Sequence, residues 1–196
     1  MPNSTTQTSV IDRGLQLLGY AAITSAQQVG SRGAKAMQRA YSSVLQSELQ
    51  KNYWHFSIKR ASIAASATPP VHTKGFAYPL PGDYLMVAPD DDDGSDFMHR
   101  KDWVLEQGHI ITDDSSPLYI RYVSNDIIES QFDAIFAEAM SAALAMACCE
   151  ELTNSQSKFD RVAALYEMQI NNAKQRGAIL IRKARLPISP WISKRG

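Results

Sequence analysis

The stretch that decides the fold is Gly75-Phe76-Ala77-Tyr78-Pro79-Leu80-Pro81-Gly82-Asp83-Tyr84-Leu85-Met86-Val87. It predicts a short strand, a rigid turn and a second strand. Pro79 and Pro81 fix the backbone φ angle and cannot donate a ladder hydrogen bond, so the chain has to turn between Tyr78 and Asp83. Further out on both sides, before residue 56 and from about residue 130, the sequence has a helical hydrophobic period, which places the β segments between helices.

Two helices are predicted before this stretch. Residues 10–18 form a short amphipathic helix that Ser9 caps and Gly19 ends. Residues 31–53 form a longer helix whose apolar face recurs every three or four residues, at Met37, Tyr41, Val44, Leu45 and Leu49. In residues 56–65 the period changes to two, which predicts a strand.

Strands continue after the stretch and then give way to helices. Residues 103–106 and 110–112 are predicted to pair as a hairpin around residues 107–109, and residues 118–123 form another strand. An Ala-rich helix follows at 130–152, with an apolar stripe at Phe132, Ile135, Phe136, Ala139, Met140, Ala143 and Leu144. The last helix, 157–184, would be about 40 Å long, which exceeds what a small core needs to cover. Gly177 is a candidate interruption of it.

The order of helices, then strands, then helices predicts an α+β fold. Residues 1–55 and 126–185 are expected to form a four-helix-type bundle. Residues 56–125 would form an inserted antiparallel β unit, and residues 186–196 an extended C-terminal docking tail.

The charged residues are balanced in number and uneven in position. Twenty basic and twenty acidic residues give a formal net charge of zero, which provides no global attraction to nucleic acid or anionic membrane. Residues 171–196 contain no acid, whereas residues 90–93 are all aspartate. The two cysteines, Cys148 and Cys149, are adjacent and would be badly strained as a disulfide on a helix. From the polar N-terminal residues we expect no signal peptide, and residues 132–149 are too interrupted to span a bilayer.

No motif for chemistry is complete, so we expect no catalytic, cofactor or metal site and no enzyme activity. The aspartate run places Asp91, Asp93 and Gly94 at the third, fifth and sixth positions of a calcium loop, but the first position would be Pro89 and the twelfth Arg100. The four histidines lack metal-ligand spacing: His55, His72, His99 and His109. A glycosidase carboxylate pair could be drawn only from Asp83, Glu106, Asp113 and Asp114.

The C-terminal segment mixes basic and apolar side chains. This mixture favours docking to a protein over binding a nucleic acid, because exposed apolar residues and a Trp need a partner that covers them. The residues predicted to dock are Arg182, Lys183, Arg185, Leu186, Ile188, Trp191, Ile192, Lys194 and Arg195. The alternative is a nucleic-acid arm in which Trp191 stacks on a base.

Taken in order, several pieces resemble the tail tubular protein A family, the head-to-tail adaptors of short-tailed bacteriophages. The strongest is the block Tyr78-Pro79-Leu80-Pro81-x-Asp83-Tyr84-Leu85. The others are Leu15-x-x-Leu18-Gly19, residues 41–49, Trp54-x-Phe56, Ile120-x-Tyr122 and Phe132-x-x-x-Phe136. Together they lie within residues 10–173.

The resemblance implies a virion component made in the host cytoplasm and placed at the head-to-tail junction. It implies a homododecameric ring beneath the portal protein and above the tail nozzle protein, with genomic DNA passing through the lumen without sequence-specific binding and with no membrane partner. In the family the C-terminal segment reaches the portal, so the residues named above are expected to bind it. The alternatives are a virion-associated cell-wall or capsule hydrolase and a small DNA-binding module.

Overall fold

The computed structural model describes residues 5–22, 30–71, 73–89 and 102–181, with side chains through Gly177. Within these ranges the helices are α1 Gln7–Leu17, α2 Arg32–Gln50, α3 Ala134–Thr153 and α4 Gln156–Ile181. The strands are β1 Ile58–Ile63, β2 Phe76–Pro79, β3 Tyr84–Val87, β4 Val104–Glu106, β5 His109–Thr112 and β6 Leu118–Ser124. Short 3₁₀ turns occupy His55–Ser57 and Glu129–Gln131. Helices therefore flank antiparallel strands, and the predicted α+β class is confirmed.

The first helix begins earlier than its sequence predicts. Thr6, not Ser9, is the N-cap: the Thr6 hydroxyl accepts from the Ser9 amide at 3.1 Å, and the Ser9 hydroxyl accepts from the Thr6 amide at 2.9 Å. This reciprocal pair satisfies two amides that the helix start leaves unpaired. Gly19 does end the helix, with φ at +88° and the Tyr20 amide bonded to the Leu15 carbonyl.

Helix α3 is the centre of the bundle and contacts α1, α2 and α4. The sequence predicted one apolar stripe, but the middle of the helix, residues 139–145, is buried on every side because three helices surround it. Its alanines and Ser141 let the neighbours approach: a Cβ added at Gly14 of α1 would lie 3.1 Å from the Ser141 carbonyl oxygen. Cys148 and Cys149 are both buried free thiols.

The β unit is a small sandwich of two three-stranded sheets, ordered β1-β6-β3 and β2-β5-β4. The turn with Pro79 and Pro81 carries the chain from one sheet to the other, so β2 and β3 are not partners. The facing sides share a small apolar core: Ile63, Tyr78, Ile110, Leu118, Ile120 and Tyr122. The predicted hairpin is present, with Gln107 and Gly108 at positive φ in a two-residue turn and His109 already in β5.

Two predicted boundaries were wrong for the same reason. Phe56 belongs to the first 3₁₀ turn, so β1 begins only at Ile58, and Phe132 follows the second 3₁₀ turn, outside α3. The rings of Trp54, Phe56, Phe132 and Phe136 pack on one another with centroid separations of 4.8–6.2 Å. Packing in this aromatic cluster fixes the two connections between the bundle and the strands as 3₁₀ turns. The hydrophobic period of the sequence does not reveal such turns.

The outer side of the first sheet packs directly on the helices. Val123 of β6 and Ala88 after β3 are buried in the bundle core, and Leu85 and Met86 pack against it. The molecule is therefore layered as sheet, sheet and helices. The division into a bundle domain and an inserted unit remains a prediction.

Candidate functional site

The nine predicted docking residues, from Arg182 to Arg195, lie outside the described residues. So does the aspartate run at 90–93 with Asp96. What the structure does describe is the body that carries them. The structure describes helix α4 from Gln156 to Ile181, and Ile181 comes immediately before the first predicted docking residue in the sequence.

The C-terminal part of α4 is held against the connection between α2 and β1. A Cβ added at Gly177 would lie 3.6 Å from Asn52 Nδ2 and 3.8 Å from Trp54 Cε3. Gly177 does not interrupt the helix, and these distances are ordinary contacts, so packing of the helix against Trp54 offsets the low helix propensity of glycine. The start of α4 is fixed as well, since Lys158 Nζ donates to the Leu18 carbonyl at 2.8 Å.

A buried polar cluster ties α4 to α2. Glu48 is 3% exposed, and its carboxylate accepts from Lys51 Nζ at 2.6 Å and from the Tyr166 hydroxyl at 3.0 Å. Lys51 also donates to the Tyr166 hydroxyl at 2.8 Å. The Trp54 indole donates to the Glu48 backbone carbonyl at 2.9 Å, which joins the cluster to the aromatic cluster.

The charges of this cluster compensate one another. Burial opposes the Lys51 charge, but its hydrogen bonds to Glu48 and Tyr166 outweigh burial, and the pKa of Lys51 is raised. Burial raises the pKa of Tyr166 most, the hydrogen bond from Lys51 opposes this, and the charge of Glu48 raises the pKa further. Lys51 therefore stays cationic and Tyr166 neutral at physiological pH. Because Glu48 is enclosed, the arrangement joins two helices and offers no carboxylate to a substrate.

A second cluster is centred on Asp83, in the stretch that decides the fold. The Asp83 carboxylate accepts from the Ser124 hydroxyl at 2.7 Å, from Lys59 Nζ at 3.0 Å and from the Tyr122 hydroxyl at 3.0 Å. Lys59 also pairs with Asp126 at 2.7 Å. We call these five residues the Asp83 anchor. It fixes the proline turn to β1 and β6.

The anchor keeps its carboxylate ionised. Hydrogen bonding by Ser124, then by Lys59 and Tyr122, outweighs burial and lowers the pKa of Asp83 to about 2. The pKa of Lys59 is raised by its bonds to Asp126 and Asp83. A general acid needs a proton to give near neutral pH, so Asp83 is unsuited to that role.

Of the remaining carboxylates considered for hydrolysis, Glu106 and Asp113 lie far apart. Glu106 lies opposite His109 at the closed end of the β4–β5 hairpin. Asp113 lies four positions beyond His109, about 13 Å along the strand. Its carboxylate accepts from the Gly75 amide at 2.9 Å, while the backbone carbonyl of Asp114 accepts from the Tyr78 hydroxyl at 2.5 Å. Glycosidase carboxylates lie about 5–10 Å apart.

The histidines have separate surroundings. His55 Nδ1 lies 3.5 Å from the Asp133 carboxylate, and His109 Nδ1 lies 3.0 Å from the Gln107 carbonyl. His72 and His99 lie outside the described residues. Across the described ranges, no three His, Cys, Asp or Glu side chains are gathered as metal ligands would be.

An open groove of about 800 Å³ lies between the start of α2 and the end of α3. Its lining is mainly basic and polar: Gly30, Arg32, Lys35, Gln38, Arg39 and Glu151. Glu151 pairs with Arg39 at 2.8 Å, and its backbone carbonyl accepts from Arg32 at 3.4 Å. We call this feature the basic groove.

Sequence reasoning named Asp83 but missed its partners, and it missed both the Glu48 cluster and the basic groove as sites. Lys59, Ser124 and Asp126 are separated from Asp83 along the chain and meet it only through the strand register. Glu48 sits at the edge of an apolar helix face, a position that could have marked it as a buried charge. The arginines of the groove do recur at helical spacing, which was the one usable signal.

No family model matches this chain, and no curated protein matches it either. In the part of the chain that the structure describes, no helix combines the length and apolar character needed to cross a bilayer.

Proposed function

We propose that this chain is a structural virion protein, a head-to-tail adaptor that joins the portal to the tail nozzle and forms part of the DNA channel. The observation that carries the proposal is the position of α4. The helix is fixed from Lys158 to Gly177, and in the sequence the basic and apolar segment follows its described part directly, from Arg182. An adaptor needs such a firm base for a segment that engages a second ring.

The composition of that segment suits protein docking. Trp191 is the anchor, since a buried Trp commonly contributes about 2 kcal/mol or more at an interface hot spot. Arg182, Lys183 and Arg185 meet acidic portal residues and mainly set the encounter rate and its salt dependence. The segment pays an ordering cost if it folds only on the portal.

The polar clusters support a mechanical role. The Asp83 anchor and the Glu48 cluster hold buried or half-buried charges that are each satisfied by neighbouring elements of the fold. In the described ranges the Glu48 cluster connects α2 to α4, and the Asp83 anchor connects the proline turn to β1 and β6. No observation favours the hydrolase alternative over the adaptor.

The test is portal binding by the full chain and by a chain lacking residues 186–196. Molecular mass would be measured with and without the portal protein of the same phage. We expect the truncated chain to melt like the parent and to lose portal binding. Trp191→Ala should weaken binding strongly, and the exposed Phe159→Ala should not.

Three results would contradict the proposal. The first is the absence of portal binding by the full chain, whereas undiminished binding by the truncated chain would contradict only the assignment of the docking surface to residues 186–196. The second is hydrolysis of peptidoglycan or capsular polysaccharide by the purified protein. The third is strong, salt-dependent binding to duplex DNA in the absence of any portal binding.

A further inference from the structure

The basic groove concentrates positive charge at the end of the bundle where α2 begins. Arg32, Lys35 and Arg39 are three and four positions apart, so their side chains share one face of α2. All three are exposed. Only Arg39 has a carboxylate partner among the described residues, Glu151 at 2.8 Å, so the cations outnumber the acid by two.

Charge is also divided between the two parts of the chain. Residues 56–125 contain ten acidic and six basic residues, whereas the rest of the chain contains ten acidic and fourteen basic residues. The strongest acidic element is the segment 90–96, with five aspartates in seven positions. A groove with a cation excess and a segment with five acids are electrostatically complementary.

The groove and the strands lie at opposite ends of α2. Gly33 lies beside the groove, and a Cβ added there would lie within 4 Å of Leu15 and Leu152 at the far end of the bundle. Leu49, near the other end of α2, lines a cleft with Asn125 and Asp126, next to β6. The stretch from Arg39 to Leu49 alone spans about 15 Å. A second copy can bring its acidic segment to the groove without crossing this distance.

We propose that the basic groove binds the aspartate segment, residues 90–96, of a second copy of this chain. This inference rests on the proposed function and deepens it, because it names the contact between neighbouring subunits of the ring. The two surfaces differ, so the contact is heterologous: each copy offers a groove to one neighbour and a segment to the other. Contacts of this kind generate closed rings when the rotation between copies closes.

The test uses charge exchange in the full-length chain. The groove variant is Arg32→Glu/Lys35→Glu/Arg39→Glu, and the segment variant is Asp91→Lys/Asp92→Lys/Asp93→Lys. A third variant carries all six changes and is the matched control, since it contains every substitution of the other two. Glutamate at position 32 falls in the first turn of α2, where an acidic residue is compatible with the helix dipole.

Self-association would be measured by sedimentation at low and high salt, with thermal melting to verify folding. We expect the parent to self-associate more strongly at low salt than at high salt. At low salt each triple variant should have an association constant at least about tenfold lower than that of the parent. The variant that carries all six substitutions should recover self-association. An equimolar mixture of the two triple variants should also recover it, because each then offers the surface that the other lacks.

Several outcomes would overturn the inference. One is a parent that stays monomeric at low salt, which leaves the adaptor proposal to its own portal-binding test. Another is that neither the variant with all six substitutions nor the mixture recovers self-association, although all chains fold. If the variant with all six changes regained thermal stability lost in the triple variants but did not associate, the contact would lie within one copy. Loss of duplex-DNA binding in the groove variant with unchanged association would identify a nucleic-acid surface instead. If the groove variant does not fold, the neutral variant Arg32→Gln/Lys35→Gln must weaken association.

Discussion

The bundle and the β sandwich are stabilised in different ways. Among the described residues, the bundle core contains 25 buried side chains and the sandwich core six. The bundle can therefore enclose a charged cluster around Glu48, whose side chain is 4% exposed. The sandwich depends on a carboxylate near its surface, Asp83, whose side chain is 23% exposed. Where apolar area is small, a polar anchor has to fix the register of the strands.

The largest expected effect is in the bundle core. Phe136 is 1% exposed and packs against the rings of Trp54, Phe56 and Phe132. Phe136→Ala should lower the free energy of unfolding by about 4 kcal/mol, from lost burial and the cavity left behind. Urea unfolding measures it. Phe159→Ala on α4, at a side chain 37% exposed, is the control and should cost less than about 1 kcal/mol. Equal losses would contradict a core centred on the aromatic cluster.

Removing either of the two charges of the Glu48 cluster should lower the free energy of unfolding, but by unequal amounts. Lys51→Met leaves an enclosed carboxylate with Tyr166 alone and should cost about 2 kcal/mol. Glu48→Met should cost less, because the Lys51 side chain is 39% exposed and can turn its ammonium to water.

The double variant Glu48→Met/Lys51→Met separates the coupling from the individual costs. It should be less destabilised than the sum of the two single variants, as measured in a double-mutant cycle by urea unfolding. A larger loss for Glu48→Met than for Lys51→Met would contradict the enclosed position of the carboxylate.

Much of the fold was predictable because it depends on local rules. The helical period of α2, the break after α3 and the Gln107-Gly108 turn all follow from side-chain spacing and backbone preference. The 3₁₀ turns at Phe56 and Phe132 were not predictable, because tertiary packing of four aromatic rings overrides the local pattern there.

The candidate sites depend on long-range contacts and were mostly hidden in the sequence. Asp83 could be singled out by its motif, yet its meaning as an anchor requires the pairing of Lys59 with Tyr122 across β1 and β6. Burial on every side of the middle of α3, residues 139–145, likewise follows from contacts with three helices, which the hydrophobic period within α3 does not reveal. The predicted docking residues belong to the segment beyond Ile181, where the portal-binding experiment tests them.

The Asp83 anchor should show a smaller effect with a characteristic pH dependence. Asp83→Asn keeps an oxygen that accepts from Ser124 but loses the charge pairing with Lys59, so it should cost about 1 kcal/mol at neutral pH. A carboxyl pKa lowered on folding stabilises the protein above its unfolded value and stops doing so as pH falls through the folded value. The difference between parent and variant should therefore be constant above about pH 4 and shrink toward pH 2, the approximate pKa of Asp83.

This pH dependence would be followed by urea unfolding at several pH values. Asp126→Asn is the matched control, because Asp126 also contacts Lys59 but is 79% exposed, and it should change the free energy of unfolding by less than about 0.5 kcal/mol. A pH-independent difference for Asp83→Asn would show that the stabilisation comes from shape or neutral hydrogen bonds. Hydrogen exchange should locate the loosening in β3 and β6 and leave α3 unchanged.

The smallest expected effect concerns two helical glycines and sharpens the comparison within the bundle itself. At Gly177 an added Cβ meets its nearest neighbours at 3.6–3.9 Å, which is ordinary contact, so Gly177→Ala should stabilise the protein by about 0.5 kcal/mol through helix propensity. At Gly14 the nearest atom is the Ser141 backbone carbonyl at 3.1 Å, which cannot move without shifting α3. Gly14→Ala should therefore destabilise in the same thermal unfolding measurement. If both substitutions stabilised equally, α1 and α3 would not be in the close contact described, and the firm packing of the bundle would be limited to its aromatic end.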